Sequence, residues 1–393
     1  MPKDGSVDPR DIKKFSAELF NMLVQGTVAL NTIQGIELGF FDWIPDSKTI
    51  TAQELSVQMG YDLSKVERWL RFAVANGYLT KSGDAYSLTP KGALLRRGTP
   101  APDLLGLHHM FSYFTKAVQN SKEVYQKGVG LDSIAQGKIS RDYIPRVASQ
   151  LSKASAEFFK WSGLSTGHTI LDLGCGNGSV LRETAKTCPG ISATGIDINI
   201  HTLELGKRKN IDAGLQDQIE LRVGDVTELS PFRDNAFDWV SAINVFHFLP
   251  VNKRERLLRE MIRISRYGIF FNQVIVNNLQ TIAADVLLAT LFSDYAGFFT
   301  DSEADDIIIK TGLKHSTFRP IIQGESRLVV VYTSKNDAPL SRIPGISDSD
   351  RWKLSNQNLN TTKDLLVAEQ TTLEKLGLDP VALRAAAIKL LLP

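Results

Sequence analysis

The sequence predicts an α/β protein with a doubly wound, mainly parallel sheet that follows a helical N-terminal domain. Short apolar strands alternate with helical stretches over residues 166–335. Two strand ends, in ILDLGCGNG at 170–178 and ISATGID at 191–197, lie about one strand–helix–strand repeat apart. Apolar residues recur at helical spacing over 15–41, well before the first of these strands.

Size and composition fit an ordinary soluble protein of two or three domains. The chain has 393 residues, which exceeds the usual size of one domain. Its formal net charge of +2 gives no electrostatic case for nucleic acid or a membrane surface as a partner. The polar N-terminus and the lack of a run of about 18 apolar residues predict a cytoplasmic protein without membrane insertion. Cys175 and Cys188 fit neither a metal site nor a disulfide framework.

Residues 1–100 are predicted to form a separate, all-helical domain. The segment 15–41 has few charges and ends in two aromatic residues, so we expect it to form buried helices. A capping-box pattern at Thr51 begins the next helix, Gly60 marks a turn, and a second amphipathic helix precedes a short hairpin at 82–84. The order helix, turn, helix, hairpin is typical of a winged helix.

A winged helix on its own suggests DNA binding, with basic residues of the second helix in the major groove. Here that helix, 64–76, carries Lys65, Arg68 and Arg71, but apolar residues such as Trp69 cover much of its circumference. A helix this apolar is expected to pack against protein. A winged-helix regulator with a ligand-sensing domain is therefore kept only as a third alternative.

Residues 101–165 are expected to be connecting helices that line a substrate cleft. Their aromatic cluster, LLGLHHMFSYFTKAV, includes His109, Tyr113 and Phe114 as candidate contacts to a substrate. The same spacing also fits plain core packing. No metal site is expected at His108 and its neighbour, because adjacent residues of a helix point about 100° apart.

The most specific motif is the glycine-rich turn after the first strand of the α/β half. Gly174 gives the tight turn, while Gly176 and Gly178 lack the Cβ atoms that would keep a small molecule away from the backbone. NAD is an alternative ligand, because its fingerprint also has a glycine turn with an acid about 20 residues later. The G-x-G-x-G spacing, with Ser179 at the next position, and an acid at Asp172 both count against NAD.

This turn resembles motif I of the class I S-adenosylmethionine-dependent methyltransferases. From about residue 15 to 335, the chain resembles the winged-helix, caffeic acid O-methyltransferase-like family and its bacterial small-molecule relatives. The resemblance implies a Rossmann-like, seven-stranded sheet over 166–335, S-adenosyl-L-methionine as cofactor and a small-molecule acceptor. It also implies a homodimer held by the winged-helix dimerisation domain.

The resemblance assigns a set of cofactor-binding residues. Asp172 would meet the ammonium of the methionine portion, Asp197 the ribose diol, and Asp225 the adenine amino group. One aspartate at a strand end is often a turn former, but three at consecutive strand ends favour a binding site. The full set is Asp172, Gly174, Gly176, Asp197, Asp225, Val226 and Asn244.

His247 matches the family's catalytic general base. Methyl transfer is an in-line displacement that needs alignment and removal of the acceptor proton, and histidine titrates near neutral pH. The alternative is a histidine packed under the following helix between Phe246 and Phe248.

The acids that accompany this histidine in the family are missing. Phe248 follows it in place of Asp, and Gln273 and Phe298 stand where the family has carboxylates, so both become candidate substrate contacts. O-methylation is the first expectation, with S- or C-methylation open because the base lacks its partners. A methyltransferase-fold enzyme with other chemistry, such as a pericyclic reaction, is the second alternative.

Residues 336–393 form a C-terminal extension beyond the family pattern. Two helical segments follow a loop rich in Pro, Ser and Asp. Apolar residues at Leu383, Ala387 and Leu390 predict that the extension docks onto the body or onto a second copy, and a lid over the site is also possible.

Overall fold

The computed structural model describes residues 9–45, 48–96, 115, 118–131, 152–313, 315–318, 326–333, 338–343 and 346–390. The chain divides into two compact units, Met1–Ser112 and Tyr113–Pro393. Within the described ranges, no helix combines the length and the apolar character needed to cross a bilayer.

The first unit combines helices with a small antiparallel sheet of order β1-β3-β2. The expectation that this unit is all helical is wrong, because the predicted hairpin gains a third strand that pairs Ile50 with Tyr86. Gly83, at a φ of 58°, supplies the left-handed residue that the tight hairpin turn needs. The elements are α1 (Pro9–Glu37), α2 (Phe40–Trp43), β1 (Ile50–Thr51), α3 (Ala52–Met59), α4 (Leu63–Ala75), β2 (Leu79–Ser82), β3 (Ala85–Leu88) and α5 (Pro90–Ala93).

The apolar side of α4 packs inside this unit, as its composition predicts. The Trp69 ring stacks on Phe40 at 4.4 Å between centroids, and its indole N–H donates to the Asn31 carbonyl at 3.0 Å. A Cβ at Gly35 would lie 2.1 Å from the Trp69 ring, so the missing side chain lets α1 approach α4. The tryptophan is therefore a core residue that joins α1, α2 and α4.

Most of α1 is exposed, which contradicts the prediction of buried helices over 15–41. Phe15, Phe20 and Met22 keep 64%, 65% and 68% of their surface accessible in the single chain. Burial begins only near the helix end, at Ile36, and continues through Phe40. The periodicity correctly predicted a helix, but periodicity alone does not say which molecule covers it.

The second unit is built on a seven-stranded sheet of order β6-β5-β4-β7-β8-β10-β9. Strands β4 to β8 run parallel to one another, and β10 is antiparallel to both β8 and β9, so the predicted mainly parallel sheet is confirmed. The strands are β4 (Thr169–Leu173), β5 (Ser192–Asp197), β6 (Ile219–Val223), β7 (Phe237–Ala242), β8 (Ser265–Val274), β9 (His315–Phe318) and β10 (Ser326–Tyr332).

Helices cover both faces of this sheet. The helices from Ser152 to Ile309 are α6 (Ser152–Trp161), α7 (Ser179–Thr187), α8 (Ile200–Asp212), α9 (Val251–Ile264), α10 (Leu279–Leu291) and α11 (Asp301–Ile309), and α10 contributes no described residue to either buried cluster on the sheet faces. Alternate residues of β4 enter opposite cores, Ile170 with Trp239 and Phe270, and Leu171 with Val240. Because β4 lies between β5 and β7, the strand order reverses there. Such a switch point opens a crevice at the carboxyl ends of the strands.

The C-terminal extension packs on the α/β body, so the predicted docking is confirmed. Leu366 and Ile388 share a buried cluster with Trp161. The Arg384 guanidinium lies 3.8 Å from the centre of the Trp161 ring and donates to the carbonyls of Leu366 and Ala368. The extension's helices are α12 (Asp348–Ser355), α13 (Thr362–Val367), α14 (Gln370–Lys375) and α15 (Pro380–Leu390).

Substitution at Ile388 tests whether the C-terminal extension stabilises the α/β body or is a lid that can separate from it. Ile388 is fully buried, so Ile388→Ala is expected to lower the free energy of unfolding by about 2–5 kcal/mol. Ile211→Ala is the matched control, because Ile211 is also helical but 63% exposed, and it should change that free energy by less than about 0.5 kcal/mol. Urea denaturation measures both. Equal, small effects would mean that the extension adds no stability to the body.

Candidate functional site

The turn between β4 and α7 is held in an unusual backbone conformation. Gly174, Gly176 and Gly178 have φ angles of 65°, 55° and 70°, in the left-handed region that favours glycine. The Cys175 N–H donates to the Ile196 carbonyl at 3.0 Å, and the Gly176 N–H donates to Asp197 Oδ2 at 2.8 Å. The turn is therefore fastened to the end of β5.

The three glycines differ in what a side chain would meet. A Cβ at Gly174 would lie 2.6 Å from Val245, and one at Gly178 would lie 3.2 Å from Leu221, so both positions are close to protein. A Cβ at Gly176 would have only the Thr202 methyl within 4 Å, at 3.8 Å. Gly176 therefore borders open space that a ligand can fill. The expectation that Gly178 also makes room for a ligand is wrong, because that position packs against β6.

Asp172 is a buried acid at the carboxyl end of β4. It is 2% exposed, and its Oδ1 accepts a 2.6 Å hydrogen bond from the hydroxyl of Ser241, the residue paired with it on β7. Burial raises the pKa of Asp172 to about 7, against the lowering effect of the Ser241 bond, and repulsion from Asp197 raises it further. An acid in this state gains most from a cationic ligand.

Asp197 organises the turn with both of its carboxylate oxygens. Oδ2 takes the Gly176 N–H, and Oδ1 accepts from the Asn199 N–H at 2.8 Å at the start of α8. Burial raises its pKa, and these backbone bonds oppose the rise. A carboxylate offers about four acceptor positions, so a ribose diol can still be bound.

Asp225 is exposed and forms a turn. Its Oδ1 accepts from the backbone N–H and the hydroxyl of Thr227, both at 2.8 Å. Val226 beside it packs at the edge of the core on one face of the sheet. The turn-forming role is thus present, and a contact from Asp225 or Val226 to an adenine ring stays a prediction.

Asn244 follows β7 with a φ of 60°, uncommon for a residue with a side chain. Its backbone N–H donates to Asn272 Oδ1 at 2.5 Å, and its side-chain oxygen accepts from Asn272 Nδ2 at 2.7 Å. This reciprocal pair fixes the chain between β7 and His247. The sequence patterns did not predict roles for Asn272 and Ser241, although each is a buried polar residue that follows apolar residues in its strand.

His247 lies in a short 3-10 turn among aromatic rings. The ring centroids of Tyr295 and Phe298 lie 5.9 Å and 5.5 Å from its own, and its backbone carbonyl accepts from the Ala296 N–H at 2.8 Å. The structure therefore brings Phe298 beside His247, and the contact of Phe298 with a substrate stays a prediction. Burial, followed by the positive charge of Arg254, lowers the pKa of His247 to about 3. The imidazole is neutral at neutral pH but is a weak base.

An acid that the sequence patterns did not indicate lies close to this histidine. Asp285, on α10, accepts from the Tyr295 hydroxyl at 2.6 Å and from the Phe298 N–H at 3.0 Å. Its charge raises the pKa of His247, against the larger effects of burial and Arg254. Asp285 thus fixes the segment that holds the aromatic rings. The signal for it was an acid within the apolar helix LQTIAADVLLATL.

Gln273 does not have the predicted role of a substrate contact. Its side chain is fully buried, its Nε2 donates to the Ala304 carbonyl at 2.9 Å, and its Oε1 accepts from Arg327 at 2.7 Å. The amide therefore joins β8 to α11 and β10. The other predicted contacts, His109, Tyr113 and Phe114, lie outside the described residues.

Comparison with known proteins identifies the part of the chain that carries this site. Residues 170–268 match the family model described as a methyltransferase domain. The chain contains a methyltransferase domain. The match supports, for this domain, the predicted resemblance to the S-adenosylmethionine-dependent methyltransferases.

A curated methyltransferase is similar in sequence to part of this chain. Demethylmenaquinone methyltransferase of Symbiobacterium thermophilum is 33% identical over 121 residues, 30% of this chain and 47% of that protein. The chain spans less than half the length of such curated relatives.

Solved structures extend the similarity in fold beyond the methyltransferase domain. An O-methyltransferase family protein from Burkholderia thailandensis has a TM-score of 0.66 at 14% identity, covering 81% of this chain and 97% of that one. Human N-acetylserotonin methyltransferase, solved with S-adenosylmethionine, has a TM-score of 0.62 at 17% identity, covering 84% and 99%. At these identities the likeness shows a shared fold.

A side chain at Gly176 is expected to block ligand binding more than it destabilises the fold. Gly176→Ala and Gly214→Ala both place alanine at a left-handed φ, so each should cost about 1–2 kcal/mol of folding free energy. Gly214 follows α8, and a Cβ at that position would have no atom within 4 Å, which makes it the matched control.

Calorimetric titration with S-adenosylhomocysteine gives the readout for this pair. Only Gly176→Ala should weaken binding, by more than about tenfold, equivalent to about 1.4 kcal/mol. Equal affinities in the two variants would contradict the assignment of the space beside Gly176 to the ligand.

Proposed function

We propose that this protein is an S-adenosylmethionine-dependent methyltransferase that acts on a small molecule. The observation that carries the proposal is the turn of left-handed glycines beside open space, with two partly or fully buried acids at adjacent strand ends. Buried carboxylates at a strand switch point suit a cationic ligand that also carries a ribose. S-adenosylmethionine combines an ammonium, a sulfonium and a ribose.

Each part of the donor has a proposed partner. Asp172 takes the ammonium, Gly174 makes the tight turn, Gly176 gives the methionine portion access to the backbone, and Asp197 takes the ribose diol. Asp225 and Val226 contact the adenine. Asn244, which is held by its hydrogen bonds with Asn272, forms part of the donor site. The bound donor supplies an electrophilic methyl group on sulfur. The chain's own contribution is to align the acceptor with that methyl group and to exclude water.

The state of His247 bears on which acceptor is methylated. With a pKa near 3, the imidazole accepts a proton weakly, so strong deprotonation of an ordinary alcohol is not expected from it. We propose O-methylation of an acidic phenol or enol as the first candidate. A carbon or sulfur nucleophile, which needs little help from a base, is the second. Neither chemistry without methyl transfer nor DNA-binding regulation is favoured by the comparisons.

A homodimer through the winged-helix domain completes the proposal. The exposed apolar residues of α1 support it, since a row of phenylalanine, leucine and methionine side chains in water is unfavourable. A second copy of this chain would cover that row, as in the family the sequence resembles.

The proposed activity is tested with S-adenosylmethionine labelled in its methyl group and a panel of phenols, enols, thioethers and activated carbon acids. We expect S-adenosylhomocysteine and a labelled product from at least one acceptor class. Donor that binds without ever yielding S-adenosylhomocysteine would instead favour a different chemistry on this fold.

Asp197→Ala tests whether this carboxylate binds the donor. It should weaken binding by roughly ten- to a hundredfold, since hydrogen bonds to a charged group are lost. Asp212→Ala, at the exposed end of α8, is the matched control and should bind as the native protein does.

The rate of methyl transfer is expected to show no histidine titration. A group with a pKa near 3 stays neutral from pH 8 down to pH 5, so the His247 contribution should be constant over that interval. His247→Gln should lower turnover less than the roughly hundredfold loss that marks the removal of an efficient general base. Initial rates at saturating donor measure both. A fall in rate below pH 6.5 that the variant abolishes would show a stronger base.

A further inference from the structure

Ser241 carries a fully buried hydroxyl beside the candidate site. It lies one residue before the end of β7, and the parallel register of β4 and β7 places it directly beside Asp172. Its hydroxyl donates to Asp172 Oδ1 at 2.6 Å, a short, charge-assisted geometry. In the strand FDWVSA, a buried serine at this position has no packing advantage over alanine.

The surroundings of Asp172 contain negative and neutral groups. Asp197 on β5 repels its charge, and on the turn the Cys175 thiol stays protonated, because burial raises the pKa of that thiol. On β7 the facing group is Ser241. Arg182, on α7, acts on Cys175 and donates to the Asn177 carbonyl and Asn210 Oδ1. The Ser241 hydroxyl is therefore the group whose hydrogen bond favours the ionised carboxylate.

We propose that Ser241 is a positioning residue for the methyl donor, whose hydroxyl favours the ionised form of the Asp172 carboxylate and orients it for the donor's ammonium. This inference rests on the proposed function. A carboxylate that accepts one hydrogen bond at Oδ1 keeps acceptor capacity at its other oxygen for a cation. Removing the hydroxyl leaves the same fold with a carboxyl group that ionises less readily.

Donor binding then releases a proton. Free Asp172 has a pKa of about 7, so below pH 7 most molecules carry a neutral carboxyl, and binding of the ammonium selects the ionised form. The proton leaves to solvent. Affinity should therefore rise as the pH increases toward 7 and level off above it. In Ser241→Ala, which lacks the bond that lowers this pKa, the rise should move to higher pH.

Calorimetric titration with S-adenosylhomocysteine tests the inference without turnover. Performed in two buffers of different ionisation enthalpy, it counts the protons released at pH 6 and pH 8. For the native chain we expect close to one proton at pH 6 and few at pH 8. Ser241→Ala should bind about tenfold more weakly at pH 7 and still release protons at pH 8. Ser241→Thr, which keeps the hydroxyl, should restore the native profile.

Asp172→Asn separates this acid from Asp197, whose pKa burial also raises. It should bind weakly and release no proton at either pH. If it releases the native number of protons, Asp172 is not the linked group and the inference fails. Native affinity and proton release in Ser241→Ala would also overturn it.

Failure of the proposed function has a different signature. In that case the native chain would bind neither S-adenosylmethionine nor S-adenosylhomocysteine at any pH. If Ser241→Ala does not fold, the native chain and Asp172→Asn still decide whether binding releases the Asp172 proton.

Discussion

The tie between the glycine turn and the end of β5 is the constraint on which the site depends. Two backbone N–H groups of the turn, from Cys175 and Gly176, end on Ile196 and on the Asp197 carboxylate. That arrangement requires left-handed backbone at the glycines, which a side chain would strain. Because both sheet faces are buried, β4 and β5 cannot shift to relieve it. The open volume beside Gly176 is thus a fixed feature of the fold.

The sequence correctly predicted the features that depend on residues close together along the chain. Alternating apolar strands and a glycine turn specify a parallel sheet and its switch point, and three strand-end acids follow from chain order alone. The pattern failed where an answer depends on partners distant in sequence. Gln273 looked like a cleft residue because of its position, but Ala304 and Arg327 bind it in the core. The periodicity of α1 predicted a helix with an apolar face, but it does not specify whether other residues of the same chain bury that face.

Polar residues within apolar segments are a sequence signal from which the residues that support the site could have been predicted. Ser241, Asn272 and Asp285 each interrupt an apolar strand or helix, and each turns out to hold a neighbouring site group by a hydrogen bond. Burying such a group costs free energy unless it is hydrogen-bonded. Its presence in a core segment therefore indicates a specific partner, although the sequence does not say which one.

The two sides of the site differ in the charge that they favour. On the donor side, Asp172 and Asp197 repel each other in a buried setting, so a cation relieves the repulsion between them. Near His247 the dominant charge is Arg254, which opposes protonation of the imidazole more strongly than Asp285 promotes it. A positive group there favours an acceptor that carries or develops negative charge. For the proposed methyl transfer, these opposite charges would favour the cationic donor beside Asp172 and an electron-rich acceptor near His247.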